Sequence, residues 1–218
     1  MNLLHPQNTK LIVFDFDGTI ADTAPGILDS HRFAFKSMGR VIPPENEIRN
    51  VIGGNLLEVY RNIFSFLEED ARKAIALYRE RYSTVGIHKA ELYNGIVETL
   101  ISLKNNGYKL CIATLKAEPF AISMSQELGI FDLFDEICGM DKNDVLNKSS
   151  LIDLCCERCE CGKDATVLVG DSVNDLKGAQ QAGVNFVGVT YGYGFIPGFE
   201  YDFFTVDKPN ELLKIYCS

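Results

Sequence analysis

Two acids one residue apart at the end of an apolar run, Asp15 and Asp17 in Asp15-Phe16-Asp17-Gly18-Thr19, are the residues of this sequence best placed to do chemistry. The run before them, Leu11-Ile12-Val13-Phe14, is short and β-branched enough to form a buried parallel strand. Side chains alternate along a strand, so both acids leave its end on the same side, with Phe16 opposite. Two ionised carboxyls that close repel, so one must sit against a cation, hold a proton, or both. Gly18 lets the backbone turn sharply, and Thr19 offers a hydroxyl to a phosphate oxygen or to a turn.

The elements that must position these groups follow from periodicity. From about residue 21 to 90 the pattern is helical, with no convincing strand. Asp22-Thr23 followed by Pro25 reads as a helix start, and Ile27, Leu28, His31, Phe35 and Met38 form one apolar stripe. His31 on that stripe reads as a core or interface histidine rather than a base. Pro43-Pro44 breaks the chain before a short helix carrying Arg49, an exposed arginine or a carboxylate ligand. Gly53-Gly54-Asn55 is a flexible break, after which Leu56, Leu57, Tyr60, Ile63, Phe64 and Leu67 resume a stripe. Ala74, Ile75, Tyr78 and Tyr82 give the next helix its apolar face.

After Tyr93 helices and strands alternate, with strands at Lys109–Ala113, Glu136–Gly139, Thr166–Val169, Phe186–Val189 and Phe203–Val206. This predicts an α/β fold, a three-layer, doubly wound, mostly parallel sheet, with ligands bound beyond the carboxyl ends of its strands. Asp15, Thr114 and Asp171 each directly follow an apolar strand.

The net charge of −9 argues against nucleic acid or an anionic membrane as partner. No basic, then apolar, leader opens the sequence and no stretch approaches the ~18 apolar residues of a membrane span, so a cytoplasmic location is expected. Seven cysteines, four of them at Cys155, Cys156, Cys159 and Cys161, read as a reduced, surface-proximal cluster rather than a disulfide framework or zinc site.

Asp15-Phe16-Asp17-Gly18-Thr19 resembles the first motif of the haloacid dehalogenase superfamily, and three further motifs extend the resemblance over nearly the whole chain, including Tyr93-Asn94-Gly95 and Tyr191-Gly192-Tyr193-Gly194. Thr114 matches the second motif, with Leu115 where Asn is frequent. Lys148 is the choice for the motif lysine and Lys142 the runner-up, with Ser149 where Pro is frequent. Gly170-Asp171-Ser172-Val173-Asn174-Asp175 matches the fourth motif. The subfamily it looks most like is that of phosphoglycolate phosphatases.

That resemblance implies a discontinuous Rossmann-like core, residues 1–20 and 91–218, with a small all-helical cap inserted at 21–90. It implies Mg²⁺ held by the carboxylates of Asp15 and Asp171 and the carbonyl of Asp17, with Asp175 behind them or bound through water. Asp15 would attack phosphorus, and Asp17 would act as general acid and then base. Gly18, Thr19, Thr114, Leu115 and Lys148 would hold the phosphoryl oxygens, and cap residues Gly53, Gly54 and Asn55 would meet the substrate. The expected substrate is a small phosphorylated metabolite, turned over by a monomer or homodimer. A sugar phosphomutase, an inorganic pyrophosphatase and a non-catalytic phosphate-binding domain are the rival readings.

Overall fold

The computed structural model describes residues 6–142 and 144–217, so residues 1–5, read above for a leader, lie outside it. The described strands are β1 (Leu11–Phe14), β2 (Ala21–Asp22), β3 (Glu91–Leu92), β4 (Lys109–Ala117), β5 (Glu136–Met140), β6 (Thr166–Gly170), β7 (Asn185–Val189) and β8 (Phe204–Val206). Six of them form one all-parallel sheet in the order β5-β4-β1-β6-β7-β8. The helices are α1 (Ala24–Ser37), α2 (Glu45–Arg49), α3 (Leu56–Glu58), α4 (Glu68–Thr84), α5 (Ile96–Asn105), α6 (Glu118–Glu127), α7 (Lys148–Arg158), α8 (Val173–Ala182) and α9 (Leu212–Tyr216).

The central strands are apolar without interruption because both their faces are covered. Ile12, Phe14, Leu110, Ile112, Val167 and Val169 face Leu100 and Leu103 of α5, Met124 of α6 and Leu212 of α9. The alternate residues, Leu11, Val13, Cys111, Ala113 and Leu168, face Leu151 and Ile152 of α7 and Ala179 of α8. Burying each such large side chain contributes about 1.5–3 kcal/mol. Cys155, Cys156 and Cys159 belong to this second layer and are buried, so three of the four clustered cysteines lie in the core rather than near the surface, while Cys161 is half-buried. The packing of α7 against β4 and β5 puts its inner face out of water.

Between β2 and β3, α1 to α4 form a helical layer of their own. Its closest approach is at Gly26, where an added Cβ would overlap the Gly86 carbonyl oxygen. His31, Phe35, Tyr60, Phe66 and Tyr78 fill its interior. Two sequence expectations fail here. Ala21–Asp22 is a short strand that pairs antiparallel with Glu91–Leu92, so the helical stretch is tied at its base by a two-strand ladder too short to show as a pattern. Ile63 and Leu67 are 58% and 78% exposed, because the helix widens to a π-type turn over Val59–Ile63 and Ser65 then takes a left-handed φ of 56°, rotating the stripe outward.

Candidate active site

Strand order alone gathers the chemistry. β1 lies between β4 and β6, and the Asp15 N–H donates to Val169 O at 2.9 Å, so the ends of three strands open on one edge. Asp15, Asp171 and Asp175 converge there, each offering a carboxylate oxygen within 4.8 Å of the others, and all are buried. Lys148, at the start of α7, reaches into this cluster: its Nζ lies 2.7 Å from Asp15 Oδ1, 2.8 Å from Asp175 Oδ1 and 2.9 Å from Ala113 O. Lys142, the alternative, is exposed.

Burial pushes the Asp15 carboxyl up to about 7. The Lys148 ammonium opposes that shift, and the charges of Asp175 and Asp17 add to it. Burial, with the charges of Asp175 and Asp15, raises Asp171, against the N–H of Tyr193, which donates to Asp171 Oδ2 at 2.6 Å. Burial opposes the charge of Lys148, but Asp15 and Asp175 more than offset it and raise its pKa. Three crowded hard-oxygen donors facing one ammonium carry excess negative charge, and a small divalent cation such as Mg²⁺ suits that donor set.

Asp175 is also half of a capping box on α8. The Ser172 N–H and hydroxyl donate to Asp175 Oδ2 at 3.1 and 2.6 Å, fixing the carboxylate before any ligand arrives. Gly170 and Gly178 make room: an added Cβ would fall 2.5 Å from Asp175 Cβ at the first, and 2.7 Å from Lys148 Cβ at the second. Gly18 takes a left-handed φ of 82°, as its turn requires, and its missing side chain leaves space for the Asp171 carboxylate.

Asp17 stands apart from the cluster. The Thr23 hydroxyl donates to its Oδ1 at 2.5 Å, and Lys116 Nζ lies 3.0 Å from the same oxygen. Sequence reasoning missed both partners. Asp22-Thr23 does open α1, but of the two only Asp22 accepts from the helix start, Ala24 N–H donating to its Oδ1 at 3.1 Å, while the Thr23 side chain makes no capping bond. Lys116 was hidden because β4 does not end at Thr114. The strand continues to Ala117 through a register break in which Leu115 and Lys116 lack opposite partners on β5, and such a bulge re-aims a side chain. The only signal available was the lysine two residues beyond a motif threonine.

The other expected site residues are placed as follows. Thr114 is buried, its hydroxyl oxygen accepting from Lys116 N–H at 3.2 Å. Leu115 lines both the cavity beside Asp17 and a neighbouring cleft bordered by Asn55, Lys148 and Gly178. Thr19 is wholly buried with its hydroxyl unpartnered, while Tyr191 OH donates to its carbonyl at 3.1 Å. Gly53, Gly54 and Asn55 line the cavity above Asp17. Asn55 both caps α3 and donates through Nδ2 to Asp144 O at 3.2 Å. Arg49 is exposed, pairing with Glu45 at 2.9 Å, and does not line that cavity. His31 does line it: its Nδ1 lies 3.0 Å from Tyr60 OH, and burial pushes its pKa down to about 3, so the ring is neutral. No described helix is long and apolar enough to cross a membrane.

Comparison with known proteins matches this arrangement. The haloacid dehalogenase-like hydrolase family model matches residues 12–189. Tyrosine-protein kinase PtkA of Mycobacterium tuberculosis is 32% identical over 86% of this chain, and the chain spans only 64% of that relative's length. Phosphoglycolate phosphatase of Psychrobacter arcticus is 30% identical, with 87% of this chain and 86% of the relative aligned. Among solved structures, a haloacid dehalogenase-like family protein from Streptococcus pneumoniae superposes with a TM-score of 0.87 at 27% identity, covering 96% of this chain and 99% of its own. With four motifs meeting at one sheet edge and a family match over most of its length, this chain belongs to the haloacid dehalogenase-like hydrolases.

Proposed function

We propose that the chain is a Mg²⁺-dependent phosphatase of small organic phosphate monoesters, phosphoglycolate-like in size, working through an aspartyl-phosphate on Asp15. The observation that carries this reading is the different setting of two neighbouring acids. Asp15 sits among Lys148, Asp171 and Asp175, whereas Asp17 is held outside that cluster by Thr23 and Lys116. Two carboxyls in unlike environments can take unlike roles.

A carboxylate oxygen of Asp15 attacks phosphorus, forming the acyl-phosphate bond as the ester P–O bond breaks. Asp17, whose contacts with Thr23 and Lys116 both fall on Oδ1, protonates the leaving oxygen through its carboxyl. It then takes a proton from the water that attacks the same phosphorus, and Asp15 is released. Lys148, with the Thr114 hydroxyl and the Leu115 backbone N–H, holds the charge of the transferring group. Asp15, Asp171 and Asp175, with the Asp17 carbonyl, would hold Mg²⁺, which supplies positive charge against which a phosphate dianion can approach. The helical unit at 21–90 serves as a cap over the cleft and excludes water while the acyl-phosphate forms.

The test is phosphate release from a panel of phosphorylated metabolites with Mg²⁺ and with a chelator. Activity should depend on the metal, Asp15→Asn should abolish it, and Asp17→Asn should lower it about hundredfold or more. Full activity in either variant refutes the assignment.

A further inference from the structure

The cavity between Asp17 and the helical layer is where a leaving group would lie. Its walls are aliphatic and aromatic, among them Ile27, Tyr78, Tyr82 and Phe120. Two cations border it, and both already have hydrogen-bonding partners within the protein. Arg79 Nη2, from α4, lies 2.5 Å from Asp144 Oδ1, in a pair only partly open to solvent. Lys116 Nζ lies 3.0 Å from Asp17 Oδ1, donates to the Tyr82 hydroxyl oxygen at 2.7 Å and sits 4.5 Å above the Tyr82 ring. The remaining hydrogen-bonding groups at the wall include neutral ones, the His31 imidazole and the Tyr78 hydroxyl. An anion brought into such a space would lose water and meet an Arg79 charge already paired with Asp144 and a Lys116 ammonium already hydrogen-bonded to Asp17 and Tyr82.

Resting on the phosphatase reading, we infer that this cavity selects phosphate esters whose leaving group is uncharged with an apolar or aromatic body, and that the pairing of Arg79 with Asp144 disfavours a carboxylate beside the ester. Specificity of this kind is a difference between two affinities, made here by withholding a counter-charge. Asp144 is the specificity-determining residue, because it decides whether the Arg79 charge is available to the cavity. It is held in place from both sides, its carbonyl accepting from Asn55 and its backbone in the left-handed region at φ 58°.

The test compares 2-phosphoglycolate with 2-phosphoglycolamide, esters of nearly equal size that differ in one negative charge, with phenyl phosphate reporting on catalysis as such. The full chain with Mg²⁺ should show kcat/KM at least tenfold higher for the amide than for the carboxylate. Asp144→Asn, a residue that tolerates the left-handed backbone, should free Arg79 and raise kcat/KM for the carboxylate ester about tenfold, narrowing that ratio. A wild-type preference for the carboxylate, or no preference, with phenyl phosphate still hydrolysed, overturns this inference and leaves the phosphatase reading standing. An unchanged ratio in Asp144→Asn overturns the role given to Asp144. If none of the three esters releases phosphate, the phosphatase reading falls and this inference falls with it.

Discussion

Asp17 depends on a contact that crosses between the helical layer and the sheet. Lys116 bridges its carboxylate to the hydroxyl of Tyr82 on α4, so the acid is oriented by a residue from each layer. Proton transfer is sensitive to displacements of about 1 Å, which can cost roughly a hundredfold in rate. Lys116→Met should therefore lower kcat by about ten- to hundredfold with a smaller change in KM, measured by steady-state phosphate release. Tyr82→Phe, which keeps the ring beneath the ammonium and removes only the hydroxyl, should fall between this variant and wild type. A Lys116→Met enzyme with unchanged kcat would show that Thr23 alone suffices to place Asp17.

Elements position the site through close approaches that glycine permits. Gly178 on α8 faces the stem of Lys148 on α7, and a Cβ there would come 2.7 Å from Lys148 Cβ. Gly178→Ala should displace the ammonium from Asp15 and lower kcat while far-UV circular dichroism stays unchanged, since alanine is the better helix former. Gly26 has no flexible neighbour to yield, because the obstacle is the Gly86 backbone. Gly26→Ala should destabilise the α1–α4 layer by about 1–3 kcal/mol, read from urea unfolding. Periodicity predicts each of these helices from its own residues, whereas the distance between two helices is a property of neither. For that reason the sequence yielded Lys148 as a candidate and did not reveal why Gly178 must stay small.

At the scale of the whole molecule, an acidic chain has built an acidic pocket, and a bound cation should matter to the fold as well as to the reaction. The metal-free Asp15 carboxyl titrates near 7, against an ordinary value of 3.8. Its protonated form is favoured in the folded state, so the metal-free protein should lose stability as pH rises from about 4 through 7, and above that range the penalty is complete. Mg²⁺ bound at the cluster, as proposed, would relieve the repulsion and compete with the proton. Millimolar Mg²⁺ should thus raise Tm more at pH 8 than at pH 5, and Asp15→Asn should flatten that difference. An equal Mg²⁺ effect at both pH values would argue that the cluster binds no cation.

The alternation of apolar runs with helical stripes, and the acids that end three of those runs, were legible in the linear chain because burial on both sheet faces and the turn after a strand are dictated by neighbouring residues. So were Asp15, Asp17, Asp171 and Lys148 as candidates, through motif spacing and resemblance. What the chain alone could not tell was which residues meet across long separations: Thr23 and Lys116 on one oxygen of Asp17, most of the clustered cysteines inside rather than outside, and Arg79 held by Asp144. Those pairings depend on strand order, on a bulge in β4 and on how the helical layer sits over the sheet. Only the packed chain contains them, because they are made by contacts between segments whose local preferences are indifferent to one another.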